Sequence, residues 1–200
     1  MTEINLGGVA WRATILFLSA CSAPLSMDAD PQPAITAALT TDAGSPAAFF
    51  ADSLENAAPG WWFSRTDQGN GYISTRAGAH SPNRVGDEYS NRNPSGQRQS
   101  LSRRFVLPAA TLTGCTASVW IDPLTPVSGV LEIDDAVTKA RLRSGSFSVA
   151  ATKTWTLVST DGAELGSPSQ NDIIVRVALL GNGEWQEFLF DDLSGSCTLP

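Results

Sequence analysis

The chain has 200 residues, of which 42% are hydrophobic and only 16% charged, with a formal net charge of −7. A charged share below the roughly 25% of ordinary globular proteins, beside 17 Gly and 12 Pro, indicates turn-rich surface chemistry and not a charged helix bundle. The acidic balance lacks the basic footprint of a generic nucleic-acid binder, so no nucleic-acid partner is expected, and no apolar run reaches the roughly 18 residues of a membrane span.

Residues 1–20 read as an export signal, in which Arg12 precedes the apolar run Ala13–Leu18 and small residues follow. Leu18-Ser19-Ala20-Cys21 resembles a bacterial lipobox, which implies cleavage before Cys21 and a diacylglycerol on its thiol. Each buried CH₂ of such chains contributes about 0.8 kcal/mol, so contact with the membrane would run through the lipid anchor alone. Ser22 after the cysteine, in place of Asp, implies by the same resemblance the outer membrane of a Gram-negative bacterium. The alternative is an ordinary signal peptide that leaves Cys21 a free thiol. With Cys21 set aside, Cys115 and Cys197 form an even pair that an exported protein can keep as a disulfide. Residues 21–48 are mostly Ala, Pro, Thr, Ser, Gly and Asp with no Lys or Arg, and read as a lipidated, flexible tether.

A single all-β domain is expected over residues 49–200. Short runs of alternating polarity separated by Gly, Pro, Asn or Ser predict strands over 61–64, 72–75, 101–107, 111–121, 130–134, 139–143, 146–150, 155–160, 172–180 and 185–191. Gly69-Asn70-Gly71 and the stretch Asn91–Gly96 predict long exposed loops in the locally basic segment Arg65–Arg104. Asn182-Gly183 between two apolar runs predicts a type I′ hairpin, with Leu180 opposite Trp185, Ala178 opposite Glu187 and Arg176 opposite Leu189. Side chains alternate along a strand, so Ile173, Val175, Val177, Leu179, Phe188 and Phe190 would face the core. Trp185, Arg176 and Glu187 would then share one outer face as a candidate binding surface.

The order Phe50-Ala51-Asp52-Ser53-Leu54-Glu55, Gly60-Trp61, Gln99–Phe105, Trp155–Val158 and Phe188-Leu189-Phe190-Asp191-Asp192-Leu193 resembles calcium-binding carbohydrate-binding modules of the galactose-binding-domain-like type. The resemblance implies a jelly-roll β-sandwich. It also implies a structural calcium joining the opening turn to the closing strand, with Asp52, Glu55, Asp191 and Asp192 as candidate ligands. Calcium takes six to eight oxygens, so carboxylates from distant segments would make an inter-strand clip. Ala51 departs from the family, which commonly has an acidic residue there, and the disulfide could replace the metal as the staple.

No catalytic motif is evident, and adjacent carboxylates such as Asp134-Asp135 point to opposite faces of a strand, a poor acid/base pair. His80 is the only histidine and lies in a polar stretch. The expectation is a non-catalytic surface lipoprotein whose sandwich binds a cell-envelope or extracellular glycan. The alternative is an adhesion or structural module that makes protein contacts. Sugars favour aromatic faces flanked by hydrogen-bonding groups, and Trp185 is the candidate platform.

Overall fold

In the computed structural model, the structure describes residues 35–36, 46–55, 60–64, 66, 69–75, 77–107, 112–151, 153–160, 163–165 and 171–198. The export signal, Cys21 and most of the tether lie outside the described residues. Thirteen strands are formed and the described residues contain no helix: β1 Ile35–Thr36, β2 Pro46–Asp52, β3 Trp62–Ser64, β4 Gly69–Thr75, β5 Arg84–Asn91, β6 Arg98–Val106, β7 Leu112–Pro123, β8 Val127–Asp135, β9 Arg141–Val149, β10 Thr156–Ser159, β11 Ala163–Leu165, β12 Asp172–Leu180 and β13 Trp185–Thr198.

They make two facing sheets of a jelly-roll sandwich. The first runs β1-β6-β12-β8-β9 with β3 also on β6, and the second runs β10-β7-β13-β5-β4 with β11 on β7 and β2 on β13. All pairings are antiparallel except β1 on β6. Ile35 and Thr36, within the expected tether, pair with Phe105 and Val106, and β2 starts three residues ahead of the expected domain boundary.

The core forms because the inner faces of β12, β8, β6, β7 and β13 are apolar at every second residue. Val175, Val177 and Leu179 meet Leu101, Leu131, Ile133, Ile121, Phe188 and Phe190. Phe190 lies so close to Gly86 that a Cβ there would come within 1.9 Å of the ring, and Phe63 presses on Gly71 in the same way. At one end Phe49, Phe50, Trp61 and Phe105 cluster, with Phe50 stacked on Phe105 at 4.6 Å. Arg103 lies over Trp61 and Phe105 and pairs with Asp52 at 2.6 Å. Cys115 and Cys197 are disulfide-bonded, fastening the end of β13 to β7.

The expected β12–β13 hairpin is not formed. β12 lies between β6 and β8, whereas β13 lies in the opposite sheet between β7 and β5. The connection is a corner between sheets, and its hydrogen bonds run to the β5–β6 turn: Gly181 N–H donates to Gln97 O at 2.9 Å and Gly183 N–H to Asn93 O at 2.8 Å. The expected loop at Gly69–Gly71 is likewise part of β4, and the segment 139–150, expected as two strands, holds the single strand β9.

The crosslink spans 82 residues of sequence, so its removal frees a large loop in the unfolded chain. Cys115→Ser, Cys197→Ser and the double variant should each lose about 4 kcal/mol or somewhat less in urea unfolding, the three nearly alike. A fully additive double variant would show that the two thiols stabilise the fold separately.

Candidate functional site

The outer face of the second sheet is built from residues that alternate with the core. On β4 this places Tyr72 outward, on β5 Asp87 and Tyr89, on β13 Trp185, Glu187 and Leu189, on β7 Trp120, and on β10 Leu157. Three of the exposed large apolar side chains among the described residues stand here: Tyr72 at 45%, Trp185 at 44% and Leu157 at 51% exposure. Trp185 stacks on Tyr89 at 5.6 Å and 24°, and Tyr89 meets Tyr72 edge-on at 6.5 Å. The result is a row of three rings across three adjacent strands. Asp87 lies under the row and accepts the Tyr72 hydroxyl at 3.0 Å, while half-buried Glu187 stands opposite Tyr89 in register.

The candidate surface from the sequence is thus divided. Trp185 and Glu187 share the outer face of the second sheet, but Arg176 stands on the outer face of the first, on the other side of the sandwich. The reason is the sheet-to-sheet corner at 181–184. Tyr89 and Asp87 were missed by sequence reasoning because β5 carries no strand signal, and Tyr72, though it opens the strand expected over 72–75, could not be placed beside them without β5. Its inner residues Gly86, Glu88 and Ser90 are small or polar, so the alternation that marks a strand is hidden.

The four expected calcium ligands take separate partners. Asp52 accepts Trp61 Nε1 at 2.9 Å, Leu54 N at 2.8 Å and Arg103 Nη1 at 2.6 Å. Glu55 Oε1 accepts the Asn83 and Arg84 amides, both at 2.8 Å, which hold its carboxyl below the ordinary carboxylate range. Asp191 accepts the Ser81 hydroxyl at 2.9 Å and the Ser81 amide at 2.8 Å, and that hydroxyl lies 3.1 Å from the Ser53 carbonyl. Asp192 bonds His80 Nδ1 at 2.6 Å. Among the described residues no three His, Cys, Asp or Glu gather in one group. Ser81 links the opening turn to the closing strand, with the Ser53 carbonyl on one side and the Asp191 carboxylate on the other.

His80 is exposed, yet its ring stacks on Trp120 at 4.3 Å and meets Trp155 edge-on at 5.5 Å. Trp155 donates Nε1–H to Gly78 O at 3.1 Å. Ser81 directs its hydroxyl to Asp191 and Ser53, not to His80. Asp134 and Asp135 diverge as strand geometry requires, Asp134 toward Arg141 and Asp135 toward the turn amides of Val137 and Thr138.

Burial raises two carboxyls. Asp191 lies above its ordinary value because desolvation outweighs the Ser81 bonds. Glu88, fully buried between the sheets opposite Gly71 and Phe188, is pushed well above its ordinary value by desolvation. The Leu179 amide and Arg98 pull the other way, yet neither Glu88 oxygen reaches a partner in hydrogen-bond geometry.

No family model and no curated protein matches this chain by sequence. Among solved structures, TmCBM61 in complex with β-1,4-galactotriose superposes with a TM-score of 0.52 at 16% identity, over 72% of this chain and 97% of that one. A cyclase from Fischerella sp. TAU gives 0.55 at 14% identity, over 78% of this chain and 98% of its own. An arabinose-bound α-L-arabinofuranosidase, MgGH51, gives 0.54 at 16% identity over 74% of this chain, which spans only 24% of that enzyme. Likeness at this identity establishes a shared jelly-roll fold, and one fold serves unrelated chemistries.

Glu88 also sets a pH dependence. Its folded pKa lies above the unfolded one, so the stability it allows is fully present below the unfolded value near 4.3 and is lost as pH rises toward the folded value. Glu88→Gln should therefore be more stable than the wild type in urea at pH 7 and show no such gain at pH 4. A variant less stable at pH 7 would mean that the carboxyl is held ionised by partners.

Proposed function

We propose that this chain is a non-catalytic carbohydrate-binding module that takes its glycan on the outer face of the second sheet. The observation that carries the reading is the row Tyr72–Tyr89–Trp185, partly exposed, with half-buried Glu187 beside it and buried Asp87 fixing Tyr72 from below. Flat aromatic faces cover the apolar face of a pyranose, and neighbouring carboxylates accept its hydroxyls. The jelly-roll fold shared with a galactotriose-bound module is consistent with this reading. The non-catalytic part is supported by Ser81, whose hydroxyl is engaged by Asp191 and does not stand beside His80 as a nucleophile.

The test is a glycan-array screen on the full chain followed by titration of the hits. Trp185→Ala and Tyr89→Ala should each weaken binding about tenfold or more in a folded protein, with Trp62→Ala near wild type. A folded sample silent across neutral and acidic glycans would favour the protein-contact module instead, for which exposed Leu157 beside Trp120 is the feature.

We infer further that the chain is exported and lipidated at Cys21, which tethers the sandwich to the cell envelope, with the outer membrane of a Gram-negative cell as the destination. The support is the Leu18–Cys21 motif directly behind a short apolar run. Expressed in a Gram-negative host, the wild type should incorporate labelled palmitate into the membrane fraction, and Cys21→Ser should incorporate none. Equal labelling of both would place the anchor elsewhere.

A further inference from the structure

The outer face of the first sheet carries a different chemistry from the aromatic row. Side chains there alternate with the core along β6, β12, β8 and β9, and one cross-strand row reads Ser102, Arg176, Glu132, Ser144. Glu132 is fully buried and is claimed twice, by the fork of Arg98, with Nη1 at 3.3 Å, and by Arg141 Nη1 at 2.6 Å. Asp134 accepts Arg141 Nε at 2.8 Å. The cluster therefore holds three guanidiniums, Arg98, Arg141 and Arg176, against two carboxylates, Glu132 and Asp134.

The surplus charge falls on Arg176. Its closest carboxylate oxygen, Asp134 Oδ2, is 3.8 Å from Nη2, beyond hydrogen-bond reach, and its Nε has no hydrogen-bond partner. Arg104, the other cation of this face on β6, is taken by Asp172 on both arms of its fork. Arg176, at 18% side-chain exposure, therefore has only a long ion pair with Asp134 and no hydrogen bond at Nε, and a planar fork is suited to two parallel bonds from a carboxylate. The adjacent acids do not repel such a group, since Arg98 and Arg141 already neutralise them. Ser102 beside it is buried, and the exposed hydroxyls of this face are the ladder Ser144, Ser146, Ser148 on β9, two strands away across β8.

We propose that Arg176 anchors a ligand carboxylate and that this face is a second glycan site, specific for an acidic sugar of the uronate type. The carboxylate completes the cluster as its third anion, and the serine ladder receives the hydroxyls of the same ligand. This site is independent of the aromatic row on the opposite face.

The experiment is calorimetric titration of the full chain with trigalacturonate, with the neutral galactotriose of the same linkage, and with inorganic phosphate. The expected result is saturable binding of the acidic trimer, with the neutral trimer and phosphate weaker. Arg176→Gln should lose about tenfold or more, Arg176→Lys less, and Trp185→Ala nothing. Arg176→Lys carries the test if Arg176→Gln fails to fold. The proposal is overturned by a folded wild type that does not bind the acidic trimer, or by Arg176 variants that bind it as well as wild type does. Loss in Trp185→Ala would assign the binding to the aromatic row, and phosphate binding as tight as the trimer would reduce the site to a general anion contact. Either result also overturns it.

Discussion

Burial of Phe188 and Phe190 between the sheets is the constraint on which the arrangement depends. With those rings inside, the period of two along β13 turns Trp185, Glu187, Leu189 and Asp191 to the sheet's other face, where Leu189 and Asp191 are covered. A slip of one residue would exchange the two sets completely. The rings hold register through shape as well as area, since Phe190 occupies the space beside Gly86 that any side chain on β5 would fill. The aromatic row on the surface is therefore positioned from the interior: Tyr89 stands under Trp185 because Glu88 and Ser90 face inward beside Phe188 and Gln186.

The same strand changes face partway along. Before Asp191 the even-numbered residues are inside; after Asp192 the odd ones, Leu193, Gly195 and Cys197, are inside. The register to β7 breaks between Asp191 and Ser194, a β-bulge at which Asp192 adopts a φ of 46°. The bulge turns Asp191 and Asp192 onto the segment 77–83, where Ser81 and His80 take them up. The two acids thereby hold that segment where His80 and Gly78 meet Trp120 and Trp155.

Much of the fold was legible in the sequence. The all-β class, the span of β12, the six core residues of β12 and β13 and the cystine follow from alternation, turn residues and cysteine parity. The site was legible only in part. Trp185 and Glu187 do share an exposed face, but Asn182-Gly183 gives a hairpin signal that local rules cannot separate from a corner between sheets. That choice is made by tertiary partners, the carbonyls of Gln97 and Asn93. β5 was hidden because a buried strand with Gly86, Glu88 and Ser90 inward carries none of the apolar periodicity that strand reading depends on. Arg176 was placed correctly as an outward residue of β12, but its neighbours are the acids of β8, which only the sheet order supplies.

The central place of β13 bears on when this unit can assemble. Its partners β2, β5 and β7 all precede it in the chain, so a nascent polypeptide that has not reached Thr198 presents their edges unpaired. Unpaired strand edges invite pairing with other chains. During synthesis the unit therefore remains open until its last strand is made. Closure comes only when β13 arrives with Cys197, whose bond to Cys115 then locks the last strand onto β7.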